Sequence, residues 1–152
     1  MTMSIEPGFV DANILVYAAD TGAPQHAASN GLLQAARNPS TVLYLTSQIL
    51  CEFYSIVTNP RRIAAPYSRT EALEAISDLI ALPSIRVLPI TAEAVTGWMA
   101  LLQRHPVTGG DVFDLQIVAT MLANGIQRIY TFNTRDFDVF PELTVTTPPE
   151  PA

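Results

Sequence analysis

Five acidic side chains and one amide lie beside the helices and strands that the sequence predicts, and their types suit metal chemistry. They are Asp11, Glu52, Asp111, Asp114, Asn133 and Asp136. Oxygen ligands of this kind are those that Mg²⁺ and Mn²⁺ prefer. Several carboxylates cannot all ionise close together unless a cation is present. If the fold gathers these groups, a divalent ion held there could activate water and stabilise charge at phosphorus, as phosphodiester hydrolysis requires.

Asp11 and Glu52 occupy the most informative positions. Asp11 follows the apolar pair Phe9-Val10 at the predicted carboxyl end of the first strand, where parallel-sheet enzymes bind their ligands; it could instead cap the next helix. Glu52 lies three residues after Ile49 and four before Ile56, which places it on the apolar stripe of its helix. Burying a carboxylate there is costly unless it is paired or coordinates a cation. The alternative is that Glu52 lies at the edge of the stripe and reaches solvent.

The other polar residues bracket one predicted helix–strand unit, residues 109–137. Asp111 and Asp114 lie three residues apart at the start of the helix and share a face. Because Asp is favoured at helix N-termini, we expect Asp111 to be a helix cap. Asp114 could serve the helix dipole and a metal together. Asn133 and Asp136 occupy the turn after the strand, where ordinary turn chemistry is the alternative explanation.

Alternating strands and helices are predicted to position these side chains. Apolar runs predict strands at residues 9–10, 42–45, 85–88 and 129–131, with an edge strand at 143–145. Caps at Thr46-Ser47, at Ser68 with Glu71, and at Thr91 begin three of the intervening helices. Such alternation implies βαβ connections. The sequence therefore predicts one three-layer α/β/α domain with a mostly parallel central sheet.

Composition restricts the class of protein. The 152 residues suit one domain, and 49% hydrophobic with 14% charged residues fits a compact fold. The net charge is −6, and all eight basic residues are arginines. Such acidity argues against a general nucleic-acid coat. It does not argue against an enzyme that reaches phosphates through a metal ion.

The sequence also bears on location. No apolar run reaches the ~18 residues that span a bilayer, and the N-terminus lacks the pattern of a signal peptide. The single cysteine, Cys51, excludes an internal disulfide and a cysteine-based zinc cluster. We therefore expect a protein of the reducing cytoplasm without a membrane partner.

Four motifs together resemble a known family. They are Phe-Val-Asp-Ala-Asn-Ile-Leu from residue 9, Leu-Cys-Glu-Phe from residue 50, Asp-Val-Phe-Asp-Leu-Gln-Ile-Val-Ala-Thr from residue 111, and Thr-Phe-Asn-Thr-Arg-Asp-Phe from residue 131. In this order they resemble the PIN domain, and more narrowly the VapC-type toxins of bacterial type II toxin–antitoxin pairs. Asn59-Pro60-Arg61-Arg62 is also similar to that group. The resemblance covers residues 8 to about 146. It implies a PIN domain at 1–147, followed by a flexible proline-rich tail at 148–152.

The resemblance implies Mg²⁺-dependent endoribonuclease activity, with Mn²⁺ as an alternative ion. It carries catalytic roles to Asp11, Glu52 and Asp114, with Asp11 and Asp114 holding the principal ion and Glu52 binding or orienting its water. Many PIN domains have Asp where this chain has Asn133, so either Asn133 as a ligand or Asp136 as a catalytic residue completes the site.

The resemblance implies partners as well. A homodimer, an RNA substrate and a cognate antitoxin that covers the acidic groove are expected. Arg61, Arg62 and Arg135 could steer the RNA backbone; the alternative for each is an ordinary solvated surface charge.

Three other classes of protein compete with this interpretation. Phosphoacceptor receiver domains and haloacid-dehalogenase-like phosphatases both need a lysine near the phosphate, and this chain has none. The phosphatase motif also requires Asp-x-Asp, whereas residues 11–13 are Asp-Ala-Asn. A PIN-like binding or scaffold module with a degenerate site is the third alternative. The intact trio of Asp11, Glu52 and Asp114 argues against it, and the amide at Asn133 leaves it open.

Overall fold

The computed structural model of the chain describes residues 5–151. Within them the five strands are β1 Gly8–Val10, β2 Leu43–Thr46, β3 Ile85–Leu88, β4 Arg128–Tyr130 and β5 Thr144–Thr146. The six α-helices are α1 Ala12–Ala19, α2 His26–Ala35, α3 Ser47–Val57, α4 Arg69–Ile80, α5 Ala92–Arg104 and α6 Val112–Ala123. Two short 3₁₀ turns occupy Gly109–Asp111 and Thr134–Asp136.

The strands form one sheet in the order β3-β2-β1-β4-β5. Every pairing is parallel, including that of the edge strand β5 with β4. In the centre, Phe9 of β1 lies between Tyr44 of β2 and Ile129 of β4. The predicted α/β class is confirmed, and the sheet is wholly parallel rather than mostly parallel.

Helices cover both faces of this sheet. Phe9 and Val10 are successive strand residues, so their side chains point to opposite faces, and both are fully buried. The order in which the chain connects the strands explains why helices lie on both faces. The chain steps from β1 to β2 to β3 in one direction through α1–α4, then returns through α5 and α6 to β4 on the other side of β1. Because parallel crossovers are right-handed, the reversed step places α5 and α6 on the opposite face.

The reversal makes the junction of β1 and β4 the switch point of the sheet. In open α/β sheets, ligands bind outside the carboxyl ends of the strands at such a point. Asp11 directly follows β1, and Thr131 directly follows β4. The topology therefore directs attention to the loops after these two strands.

Local sequence signals set several of the helix ends. The Thr46 hydroxyl accepts a hydrogen bond from the Ile49 amide, which caps α3. Ser68 and Glu71 form a reciprocal capping box at the start of α4, and Thr91 caps α5. All three predicted caps are confirmed. Gly125 follows α6 with φ +72°, a conformation that glycine adopts without strain.

Boundaries shift by one residue from those expected. The predicted strand 129–131 is observed at Arg128–Tyr130, and the edge strand predicted from residue 143 begins at Thr144. Residues 1–4 of the predicted domain and residue 152 of the predicted tail lie outside the described residues.

The predicted tail packs against the domain at two points. Pro148 is buried. A Cβ built on Gly31 of α2 would lie 3.6 Å from Cγ of Pro151. The division of the chain at residue 147 stays a prediction. Among residues 5–151, the helices are all too short or too polar to cross a membrane.

Candidate active site

Asp11 is held rigidly at the carboxyl end of β1. Its side chain is only 8% exposed. One carboxylate oxygen accepts a hydrogen bond of 2.8 Å from the Ala12 amide, so Asp11 is also the N-cap of α1. The other oxygen accepts a hydrogen bond of 2.8 Å from the Thr131 hydroxyl. The capping and functional interpretations of Asp11 are therefore compatible, since each uses a different oxygen.

Thr131 and Asn13 support Asp11, and sequence reasoning assigned neither of them to the site. The Asn13 amide donates to the Thr131 hydroxyl oxygen at 3.2 Å and to Asp11 at 3.4 Å. The Asn133 backbone amide also donates to the Thr131 hydroxyl oxygen, at 3.0 Å. This hydrogen-bond network links the loops after β1 and β4. Only the pairing of these strands would have revealed it.

Burial perturbs Asp11. Desolvation raises the pKa of the Asp11 carboxyl to about 6, against the lowering effect of the hydrogen bonds from Thr131 and Ala12. The negative charges of Glu52 and Asp136 raise the pKa further. A cation bound beside the Asp11 carboxyl would oppose these effects, because an opposite charge stabilises the ionised form.

Glu52 of α3 reaches this site from the edge of the apolar stripe. The buried residues of α3 are Ile49, Phe53 and Val57, whereas Glu52 is half-buried. Its carboxylate accepts a hydrogen bond of 2.8 Å from the Gln48 side chain. Its half-burial agrees with the alternative that Glu52 lies at the edge of the stripe. Position at the edge keeps the carboxylate accessible to a ligand.

Asp114 has the more strongly perturbed carboxyl. It lies half-buried in the first turn of α6. Desolvation is the largest cause that raises its pKa to about 7, followed by the charges of Asp136, Asp11, Asp111 and Glu52. A helix N-terminus by itself favours an ionised carboxylate. Here burial and the neighbouring acids outweigh that effect.

Asp111 does not act as the expected helix cap. It lies in the 3₁₀ turn that precedes α6, with helical backbone angles of φ −65° and ψ −19°. An N-cap residue normally has extended angles that let its side chain reach back to the first amides. Asp111 makes no capping hydrogen bond. Its exposed carboxylate instead adds to the charge that acts on Asp114.

Asp136 and Asn133 contribute to the site in different ways. The charge of Asp136 raises the pKa of both Asp11 and Asp114. Asn133 is exposed and contributes two backbone contacts: its amide donates to Thr131, and its carbonyl accepts from the Asp136 amide at 3.1 Å. Asp136 is itself exposed, and its charge acts on the site; which of the two residues completes the site stays a prediction.

The three arginines considered for RNA contacts lie in two places. Arg61 and Arg62 are exposed in the turn after α3, which Asn59 stabilises by accepting from the Arg61 amide at 3.0 Å. Arg135 is exposed in the same 3₁₀ turn as Asp136. Arg135 is therefore the one of the three that shares a structural element with a site carboxylate.

A divalent ion suits this donor set when water completes its coordination. The charges of Glu52 and Asp136 act on both Asp11 and Asp114. Among residues 5–151, no three acidic, histidine or cysteine side chains stand close enough together to ligate one ion at once. Mg²⁺ keeps several waters and is commonly held through one or two protein carboxylates. The arrangement fits such a hydrated ion rather than a closed protein cage.

Comparison with known proteins gives the family. Residues 8–143 match the PIN domain. This chain belongs to the PIN domain family. Ribonuclease VapC43 of Mycobacterium tuberculosis is 34% identical over 119 residues, which cover 76% of this chain and 78% of that protein. Ribonuclease VapC33 of the same organism is 28% identical over 138 residues, or 91% of this chain and 95% of that protein. The resemblance to the VapC group is therefore confirmed.

Solved structures show the same fold at lower sequence identity. VapC20 of Mycobacterium tuberculosis, a sarcin–ricin loop cleaving toxin, has a TM-score of 0.64 at 22% identity and covers 87% of this chain and 94% of its own. VapBC2 of Rickettsia felis, bound to a DNA fragment from their promoter, has a TM-score of 0.64 at 17% identity, with coverages of 93% and 98%. A toxin–antitoxin complex from Klebsiella pneumoniae has a TM-score of 0.61 at 21% identity, with coverages of 95% and 99%.

Proposed function

We propose that this chain is a divalent-metal-dependent endoribonuclease and the toxin of a type II toxin–antitoxin pair. One observation carries the proposal: the carboxyls of Asp11 and Asp114, at the switch point of a PIN-domain sheet, have pKa values raised to about 6 and about 7. Perturbed carboxyls at a sheet's ligand-binding end are typical of functional sites. The names of the relatives VapC43 and VapC33 as ribonucleases support the reaction class.

Four carboxylates have distinct tasks in the proposed mechanism. Asp11 and Asp114 would hold the principal ion, Mg²⁺ with Mn²⁺ as an alternative. A bound divalent ion supplies charge neutralisation at the phosphate and activates water for attack. Glu52 would orient the attacking water by accepting a hydrogen bond from it, and Asp136 would complete the negative pocket.

Thr131 and Gln48 position two of these groups. The Thr131 hydroxyl fixes one oxygen of Asp11 while the Ala12 amide fixes the other, so the Asp11 carboxylate cannot rotate freely. The Gln48 amide holds Glu52 in the same way from one helical turn earlier. Such preorganisation reduces the reorganisation needed when charge develops in the reaction.

The proposal includes two protein partners. Two of the solved relatives are toxin–antitoxin assemblies, which supports a cognate antitoxin for this chain. To inhibit the enzyme, the antitoxin would have to neutralise or cover the acidic site, because these carboxylates are the groups that would hold the metal ion. A homodimer is the oligomeric state that the family resemblance implies.

The direct test is cleavage of RNA by the purified chain, free of antitoxin. We expect cleavage with Mg²⁺ or Mn²⁺, none with EDTA, and a loss of at least about 100-fold for Asp11→Asn, in line with removal of a charge-stabilising group. Asp78→Asn is the matched control, since Asp78 is an exposed carboxylate on α4. Equal cleavage by Asp11→Asn, or cleavage in EDTA, would refute the proposal. The scaffold alternative predicts no metal-dependent cleavage by the unmodified chain.

A second pair of variants tests the fourth position of the site. Asp136→Asn removes a charge that acts on Asp11 and Asp114, so we expect a large loss of cleavage and weaker metal binding. Asn133→Ala keeps the backbone contacts of Asn133 and removes only an exposed amide, so a small effect is expected. The reverse ranking would assign the fourth position to Asn133.

A further inference from the structure

A small cavity of about 180 Å³ adjoins the carboxylates. Asp111, Asp114 and Asp136 line one side of it. His105 at the end of α5 and apolar residues from two loops line the rest. One side of the cavity is therefore acidic and shared with the candidate active site. The other wall is formed by His105 and apolar residues, which have no role in the proposed reaction.

The wall is aromatic and apolar. The His105 ring packs edge-on against the Phe140 ring, with centroids 4.7 Å apart and planes at 61°. Phe140 is 3% exposed and therefore fixed in the core. Val139, which precedes Phe140 in the chain, is apolar but 57% exposed. Val107 also lines the cavity. Such a surface offers stacking and van der Waals contact to a flat ligand.

Size and charge restrict the ligand. Pockets for drug-sized molecules are roughly 300–1,000 Å³, so this cavity suits a single ring system rather than a larger molecule. Negative carboxylates along one side disfavour a phosphate or another anion there. A neutral, flat heterocycle satisfies both restrictions. In RNA, the unstacked base of a single-stranded nucleotide is such a group, and proteins commonly stack it on His or Phe.

Asp111 gives the cavity a preference among the bases. Its carboxylate is exposed and makes no capping hydrogen bond, so it is free to accept one from a ligand. Adenine, cytosine and guanine each carry an exocyclic amine that donates a hydrogen bond to a carboxylate, and Asp and Glu accept in this way from the amino group of cytosine. Uracil presents carbonyl oxygens at the corresponding positions, and these would face the carboxylate with like partial charge.

We propose that this cavity binds the base of a nucleotide next to the scissile phosphate and prefers a base with an exocyclic amine to uracil. The inference rests on the proposed ribonuclease function. The half-buried His105 ring, which Phe140 supports from the core, takes the face or edge of the base, Val139 covers it, and Asp111 accepts from its amine. Asp114 and Asp136 line both this cavity and the acidic site, which places the base beside the reacting phosphate.

The first experiment reads base preference from cleavage. A randomised single-stranded RNA is cut with Mg²⁺ or Mn²⁺, and the bases flanking each cut are counted. We expect one flanking position to disfavour uracil by about 5- to 100-fold, the discrimination that one good base-edge contact provides. Asp111→Asn should bring uracil near parity there, because an amide can also donate to a carbonyl. Val139→Asp should weaken the preference and slow cleavage.

The control is Val87→Asp, which adds the same charge at an exposed valine on the opposite edge strand β3. It should keep the flanking-base profile of the unmodified chain. Cleavage with one profile shared by the unmodified chain, Asp111→Asn and Val139→Asp would overturn the base site and leave the ribonuclease proposal standing. Absence of any metal-dependent cleavage by the unmodified chain would instead refute the ribonuclease proposal.

The second experiment does not depend on cleavage. The chain has two histidines, His26 and His105, and His26 lies at the start of α2, where its ring contacts the Tyr17 carbonyl at 2.9 Å. Titration with adenosine, cytidine, guanosine or uridine in Mg²⁺ should shift the His105 ring resonances, with uridine the weakest ligand, and leave those of His26 unchanged. Val139→Asp should abolish the shift. Equal shifts at both histidines, or none at His105, would refute the base site.

Discussion

Asn in place of Asp114 should stabilise the metal-free protein at alkaline pH. The pKa of this carboxyl rises from 3.8 to about 7 on folding, and one pKa unit corresponds to about 1.4 kcal/mol. The full shift would thus be worth roughly 4 kcal/mol. Because Asp114 is half-exposed, solvent screening reduces this figure, and we expect a gain of about 1–2 kcal/mol.

The sign of the effect follows from proton binding. Between about pH 4 and pH 7 the unfolded chain has lost the Asp114 proton while the folded chain retains it. Unfolding therefore releases a proton in this window, and the free energy of unfolding of the unmodified protein falls as pH rises. The Asp114→Asn variant has no carboxyl at this position and therefore lacks this pH-dependent contribution to the free energy of unfolding. Its advantage should be near zero at about pH 4, grow through the window and stay constant above about pH 7.

Urea unfolding in EDTA measures this advantage. The unmodified protein and Asp114→Asn are compared at about pH 5 and about pH 8, with Asp78→Asn as the control for loss of an exposed charge. We expect the Asp114 variant to gain on the unmodified protein at the higher pH and the control to show little change. A variant that is no more stable at pH 8, or equally stabilised at both pH values, would refute the electrostatic reasoning about the site.

Three further outcomes are expected. Mg²⁺ at about ten times its dissociation constant should raise the free energy of unfolding by about 1.4 kcal/mol at pH 8; thermal unfolding with and without EDTA should show the gain, and Asp114→Asn should lose it. Thr131→Val removes a hydrogen bond that lowers the pKa of Asp11, so NMR titration should find the Asp11 pKa higher still; an unchanged value would contradict the network. Ser68→Ala removes the capping box of α4 and should lower stability by about 1 kcal/mol, while RNA cleavage by the folded protein should remain unaltered.

Local sequence patterns were sufficient to predict where three of the helices begin. A hydroxyl that accepts a hydrogen bond from an amide three residues later needs no distant partner, and the caps at Thr46, Ser68 and Thr91 all formed as predicted. The same local logic failed at Asp111. There the chain enters a 3₁₀ turn before α6, so the residue already has helical angles and its carboxylate cannot cap.

For the candidate site too, some features could be predicted from the sequence and others depend on the tertiary structure. The residue types and the order of motifs singled out Asp11, Glu52 and Asp114, because an acid at a strand end, near a helix stripe or in a first helical turn can be recognised from its neighbours along the chain. Their shared electrostatics are a property of the tertiary structure. The pKa of Asp114 depends on charges from Asp136 and Asp11, the latter more than 100 residues away in sequence.

The sequence by itself determined the α/β class, the caps and the principal acids, since each depends on side chains within a few positions of one another. Only the tertiary structure decided that β4 lies beside β1, and hence that Thr131 supports Asp11 across 120 positions of sequence. It also brought the charge of Asp136 within reach of Asp11 and Asp114. Strand order is set by how the whole core packs, and no local pattern in the chain encodes it.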